Sequence, residues 1–314
     1  MSDKIKVIAL FGPTASGKTK LAIELAKHYG GEIISADSMQ VYKKMEIGTA
    51  KPTKDEMENI PHHLIDFLEP SESFNVANYT KLASEKIFDI HSRGKMPIVA
   101  GGTGLYISSL INNIRFEESE CDYAYREELR LLAQEKGNSY LLDMLREIDP
   151  ATAATLHENN QARVIRALEV YRTTGKTMSQ TQEESRTEPS PYEPCMIALD
   201  YDREQLYDRI NKRVDIMLDM GLIEEAKNFF SKGDLPTAAQ AIGYKELLPY
   251  LKGEKELSEC VEHLKQETRK YAKRQLTWFR KDERIHWIKA DDTVSLREIF
   301  EKAKKYIKIC GNFR

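Results

Sequence analysis

Gly12-Pro13-Thr14-Ala15-Ser16-Gly17-Lys18-Thr19 matches the phosphate-binding pattern G-x-x-x-x-G-K-[ST] at every defined position. The flanking sequence fits it. Ile5 to Phe11 (IKVIALF) is a short apolar, β-branched run that reads as a buried strand, and Leu21, Ala22, Leu25, Ala26 and Tyr29 recur at helical spacing from Lys18 onward. Gly30-Gly31 then closes the helix. A strand that turns through a glycine-rich loop into a helix N-terminus leaves backbone N–H groups aimed at one point. The helix dipole and the Lys18 ammonium add positive charge there. Residues Gly12 to Thr19 are therefore expected to bind a polyphosphate, with the Thr19 hydroxyl on a magnesium ion.

Composition narrows the class. The chain has 314 residues, 41% of them hydrophobic, which suits one large domain or a core with a smaller insertion. Its four cysteines, Cys121, Cys195, Cys260 and Cys310, lie far apart with no C-x-x-C pair, so neither a disulfide framework nor a zinc site is expected, and a reducing cytoplasm fits. The adjacent His62-His63 pair lacks further nearby ligands and reads as a loop or packing feature. No run approaches the roughly 18 apolar residues of a membrane span, so a soluble protein without a membrane partner is expected. The net charge of −3 argues against a uniformly basic nucleic-acid binder. Its distribution argues otherwise: from Arg269 to Lys281 (RKYAKRQLTWFRK) six of thirteen residues are basic and none is acidic, with Tyr271, Trp278 and Phe279 interleaved. That segment is either an RNA contact or a solvated helix whose aromatics face the core.

Further along, Glu32 to Ser38 (EIISADS) reads as a strand whose carboxyl end delivers Asp37, and ligands of open parallel sheets gather at such ends. Asp37 is thus either a group for chemistry or a cap on the next turn. Met96 to Ala100 (MPIVA) reads as another strand and runs into Gly101-Gly102-Thr103-Gly104, where an ATP-hydrolysing protein would normally present an aspartate for magnesium. This turn either lets a substrate approach the backbone, with Thr103 hydrogen-bonding it, or is a tight connection. From about 115 to 194 the sequence is helical and charged, which predicts an insertion (115–194) within a core formed by 1–114 and 195–314. Within it Val164, Ala167, Leu168 and Tyr171 share one helix face flanked by Arg163 and Arg166, and Ser179 to Pro194 reads as a linker. Cys195 to Leu199 (CMIAL) resumes the sheet. Asp202 and Gln205 have the spacing of a capping box, and the helix after them buries Leu206, Ile210, Val214, Met217 and Gly221. Arg209 and Arg213 sit on a neighbouring stripe, as surface residues or closed over a phosphate.

These pieces, in this order, resemble the bacterial tRNA dimethylallyltransferases, also called tRNA isopentenylpyrophosphate transferases. The likeness runs through GPTASGKT at 12–19, ISADSMQVYKKMEIGTAKP at 34–52, PHHLID at 61–66, GGTGLY at 101–106, ARVIRALEVY at 162–171, QAIGYKE at 240–246 and KRQLTWFR at 273–280. The resemblance implies an α/β fold, a P-loop NTPase-like core with a parallel sheet flanked by helices, plus a mainly helical insertion domain gripping an anticodon stem-loop. The implied reaction transfers a dimethylallyl group from dimethylallyl diphosphate to the exocyclic N6 amine of the adenosine 3′ of the anticodon (position 37), in tRNAs reading codons that begin with U, and releases diphosphate. Gly12, Pro13, Thr14, Ala15, Ser16, Gly17, Lys18, Thr19 and Arg213 would hold the diphosphate, with Mg²⁺ on Thr19. Asp37 would take the proton from the amine, making Asp37, Lys18 and Thr19 the expected catalytic group.

The tRNA is expected to meet Asp37, Ser38, Met39, Gln40, Thr103 and Arg126, the stretch Gln161, Ala162, Arg163, Val164 and Ile165, and the turn Gln240, Ala241, Ile242, Gly243, Tyr244 and Lys245, with Lys273 and Arg274 on its backbone. The enzyme is expected to act as a cytoplasmic monomer. A nucleotide kinase, an isopentenyltransferase of free adenine nucleotides and a non-catalytic RNA-binding protein are the competing readings. The insertion argues against the first two, and intact Lys18, Thr19 and Asp37 against the third.

Overall fold

The computed structural model describes residues 4–114, 116, 121–185, 188–231, 233, 235, 237–311 and 313. The expected boundary residue 115 and residues 186–187 of the expected linker lie outside these. The chain divides into two compact units, Met1–Ile111 with Pro191–Arg314, and Asn112–Ser190.

The first unit is built on six strands: β1 (Ile5–Phe11), β2 (Gly31–Ala36), β3 (His62–His63), β4 (Met96–Gly101), β5 (Tyr192–Asp200) and β6 (His286–Lys289). They form one parallel sheet in the order β3-β2-β4-β1-β5-β6. Helices cover both faces, as parallel sheets require. α1 (Lys18–Tyr29), α2 (Val76–Ser92) and α3 (Gly104–Ile111) belong to this unit's first half. Alternation along β1 divides the core: Val7, Ala9 and Phe11 pack with Ile87, Ile90 and Ile107, whereas Ile8 and Leu10 pack with Leu21, Leu25 and Ile210.

The second unit contains α4 (Tyr123–Lys136), α5 (Asn138–Ile148), α6 (Pro150–Thr155), α7 (Gln161–Thr174) and α8 (Met178–Glu184), with its own core of Leu129, Leu141, Leu145, Val164 and Leu168. The first unit resumes with β5, then α9 (Arg203–Asp219), α10 (Leu222–Phe230), α11 (Leu248–Leu251), α12 (Leu257–Phe279), β6 and α13 (Leu296–Cys310). Among the described residues no helix is long and apolar enough to cross a membrane.

Several local expectations change. β2 ends at Ala36, because the Asp37 carboxylate accepts from the Met39 and Gln40 amides and turns the chain out of the sheet. The 179–194 stretch is not all linker: Thr177 and Gln180 form a reciprocal capping box that starts α8 one residue before Ser179, and β5 begins at Tyr192. Tyr171 is exposed, and its place in the buried face of α7 is taken by Glu169, which is fully buried between Arg126 and Arg166. Asp202 caps α9 through the Glu204 and Gln205 amides, but the buried Gln205 Oε1 has no partner, so the box is half formed. Gly221 does not continue the α9 stripe: α9 ends at Asp219, and Gly221, at φ 101°, begins α10. His62 and His63 form β3, with the His63 ring on the buried Glu32 carboxylate at 2.7 Å. No metal-holding cluster of His, Cys, Asp and Glu occurs among the described residues.

Candidate active site

Strand register assembles the site. Gly101 of β4 pairs with Phe11 of β1 on one side and Ala36 of β2 on the other. The residues that follow, Gly12, Asp37 and Gly102, therefore leave the sheet side by side at its carboxyl edge.

The phosphate loop is shaped for an anion. Gly17 lies in the left-handed region at φ 81° and heads α1 with no side-chain cap, so the first amides of the helix are free for a ligand. Ala15 also has positive φ, 64°, a conformation that costs a non-glycine residue energy and is held here by its surroundings. Among the described residues the buried Ser16 hydroxyl has no hydrogen-bond partner, and the Thr19 hydroxyl makes no hydrogen bond. Lys18 has its pKa pushed down to about 8, chiefly by burial; the Asp37 carboxylate opposes this and the Arg213 guanidinium adds to it. Lys18, Asp37 and Arg213 are thus within electrostatic reach of one another.

Arg213 enters from α9. Burial depresses its pKa against the opposing pull of Asp37 and Glu56, and it forms no hydrogen bond or ion pair with the described residues. The other expected candidate on this helix behaves differently: Arg209 donates to the Ala15 carbonyl at 3.0 Å and to Asp292 at 3.0 Å, and stacks on Tyr201. Arg209 braces the loop, while Arg213 carries a positive charge that no described acidic partner neutralises directly. The Asp37 carboxylate caps the turn through Oδ1, at 2.9 Å from Met39 N and 3.3 Å from Gln40 N, while Oδ2 has no described partner.

The glycine turn is a tight connection packed against α12. A Cβ on Gly102 would lie 2.2 Å from Gln275 Nε2, and one on Gly104 would lie 2.2 Å from Trp278. The glycines at 102 and 104 admit the protein's own α12. Thr103 donates its N–H to the Ala36 carbonyl at 3.0 Å and its Oγ1 accepts from Ser38 N at 3.1 Å, tying the ends of β4 and β2 together.

The remaining expected contacts are placed unevenly. Ser38 and Met39 are half-buried beside Asp37; the Gln40 amide is spent on the Thr49 and Ala50 carbonyls, at 3.1 and 3.2 Å. In the 240–245 turn Gln240 and Lys245 are exposed and Ile242 is half-buried, whereas Ala241, Gly243 and Tyr244 are buried. Lys273 and Arg274 are exposed on α12. In the helical unit Ala162 and Arg163 are exposed and Gln161 is half-buried, but Val164 and Ile165 are core residues. Arg126 forms a two-pronged pair with Glu169, 2.8 Å in each arm.

Sequence reading missed three residues. Glu225 of α10 accepts from the Glu46, Ile47 and Gly48 amides, each at 2.9 Å, and from the Tyr244 hydroxyl at 2.6 Å, joining the 46–48 loop to the 240–245 turn. Gln275 and Tyr271 of α12 face inward between the basic residues. Their helical offset from Lys273 and Arg274 is the one signal that could have found them.

The family model described as IPP transferase matches residues 40–282. The tRNA dimethylallyltransferase of Acetivibrio thermocellus is 54% identical over 309 residues, covering 98% of this chain and 99% of that protein. The structure of a tRNA isopentenylpyrophosphate transferase from Bacillus halodurans superposes with a TM-score of 0.72 at 45% identity, covering 98% of each chain. A eukaryotic dimethylallyltransferase acting on tRNA superposes with a TM-score of 0.81 at 32% identity, covering 97% of this chain and 80% of that one.

Proposed function

The chain belongs to the IPP transferase family, and from that premise we propose that it moves a dimethylallyl group from dimethylallyl diphosphate to N6 of adenosine 37 of tRNAs reading codons that begin with U. The observation that carries this reading is the convergence of Lys18, Arg213 and Asp37 at the sheet edge. In the reaction the adenine N6–carbon bond forms as the allylic carbon–oxygen bond breaks. The departing diphosphate takes the bonding pair, and its developing charge meets the loop amides, Lys18 and Arg213. Asp37 Oδ2 receives the N6 proton. Leaving-group stabilisation, with no water to activate, is consistent with a β4 end that carries glycines instead of an acid.

Magnesium suits the donors present: the Thr19 hydroxyl and the orphaned Ser16 hydroxyl offer oxygen beside the phosphate site, and Mg²⁺ commonly takes few protein ligands when phosphate and water complete its shell. Bound there through Thr19, it would supply further neutralisation of diphosphate charge. The target base must leave its stack to reach the sheet edge. In this reading the first unit offers the exposed Gln240, Lys245, Lys273 and Arg274 to the RNA, and the helical unit separately offers Ala162 and Arg163 to the anticodon stem-loop. The enzyme works as a cytoplasmic monomer in this reading. Incubation with labelled dimethylallyl diphosphate and, separately, tRNA, AMP and ATP tests it: label in tRNA alone is expected, and label in the free nucleotides alone overturns the RNA assignment.

A further inference from the structure

α12 faces two ways. Its outer side carries Lys270, Lys273 and Arg274, while Gln275 beside them is buried at 6% exposure. The Gln275 amide spans two loops that come from different strands: Oε1 accepts from Thr14 N of the phosphate loop at 3.0 Å, and Nε2 donates to the Gly102 carbonyl at 2.9 Å. One helical turn earlier, the Tyr271 hydroxyl interacts with the side chains of Thr103 and Gln275 and lies near Asp37. Thr103 in turn holds Ser38 N, the residue after Asp37. Beyond the β1–β4 ladder, which ends at Phe11 and Gly101, the Gln275 side chain is thus a polar link between the loop for the leaving group and the turn that fixes Asp37.

We infer that Gln275 is a positioning residue that sets the distance between the diphosphate loop and the Asp37 end of β2. The inference rests on the proposed transfer reaction for its catalytic consequence, though not for its structural one. A primary amide is the side chain that fits: it presents one acceptor to an N–H and one donor to a carbonyl across a fixed span. Loss of the link leaves a buried N–H and C=O unpaired and frees the two loops to drift. Transfer chemistry loses about a hundredfold for a misplacement of ~1 Å.

Gln275→Met keeps the volume and removes both hydrogen bonds. Gln275→Glu keeps the acceptor, and regains the donor only when its carboxyl is protonated. Gln275→Met is expected to lower kcat by roughly 10–100-fold while KM for dimethylallyl diphosphate and tRNA affinity change by less than about threefold. Gln275→Glu is expected to be impaired at high pH and to recover toward wild type as pH falls through its carboxyl pKa, which burial raises; a purely structural defect would not follow pH this way. Amide hydrogen exchange supplies a readout independent of any reaction: Gln275→Met should expose the 12–19 and 101–104 amides while α1 and β1 remain protected. Wild-type exchange at both loops, or kcat within twofold of wild type in the folded Met variant, overturns the inference. Wild-type protein that transfers no dimethylallyl group, combined with the expected exchange change, overturns the function and leaves the Gln275 link standing.

Discussion

Lys18 and Asp37 occupy the two ends of the proposed chemistry, and the Asp37 carboxylate partly offsets the lowering of the Lys18 pKa by burial. Asp37→Asn retains the shape of the turn cap but cannot take the N6 proton, so single-turnover transfer should fall by about 10²–10⁴ with tRNA affinity near wild type; rates within threefold would remove Asp37 from the proton step. Lys18 has the opposite character. Its pKa is depressed to about 8 in the fold against an ordinary 10.5, so between those values the unfolded chain keeps a proton that the native state has released. Stability therefore rises with pH across that window, and below it the fold carries the cost of a buried ammonium. Lys18→Met should stabilise the protein at neutral pH, by roughly 1–3 kcal/mol, while weakening inorganic diphosphate binding. In the wild type, diphosphate affinity should decline as pH rises above about 8, where the ammonium is lost. Calorimetry showing affinity flat from about pH 7 to 9 would argue that the loop amides and Arg213 carry the anion without it.

At the scale of the element, α12 shows which of its faces packs on the core and which is left exposed, and so available for the proposed RNA contact. Ala272, Gln275 and Phe279 are buried, with Phe279 edge-on to Phe11 of β1, while Lys273, Arg274 and Lys281 are exposed. The segment is less free than its charge count implies. Arg269 is committed to Asn211 and Glu262, Lys270 to Glu267, and Arg280 to Asp200. Lys273 and Lys281 have no described acidic partner, and Arg274 lies over the Tyr271 ring at 5.7 Å. Replacing Lys273 and Arg274 together by glutamine should weaken cognate and non-cognate tRNA about equally. It should also lower the magnitude of the log-affinity against log-salt slope by roughly 0.7–0.9 for each phosphate that the protein no longer neutralises. An unchanged slope in the folded double variant would make this face ordinary solvated surface.

For the whole molecule, the consequence of two units with separate cores is that each fails by itself. Glu169 holds the helical unit from within, accepting from Arg126, from Arg166 at 2.6 Å and from Asp122 N at 2.9 Å. Glu169→Ala removes the carboxylate that both guanidinium groups share, and should cost on the order of 2–3 kcal/mol, less than a fully buried pair because both arginines reach solvent. Hydrogen exchange should rise within 121–185 while inorganic diphosphate binding to the other unit is retained; loss of diphosphate binding as well would mean the units unfold as one. The sequence by itself determined the strand, phosphate loop and first helix over Ile5–Tyr29, the parallel-sheet class of fold and the family. These depend on contacts a few residues apart or on side-chain periodicity, which a linear chain displays. Tertiary structure alone decided that β4 lies between β1 and β2, that Arg209 is spent on the Ala15 carbonyl, that Gln275 joins Thr14 to Gly102, and that the free thiols Cys195 and Cys310 meet at 2.8 Å. The side-chain pairs among these, 115 to 261 residues apart, are brought together by the packing of helices on an ordered sheet, and no local pattern in the chain encodes which partner each side chain will meet.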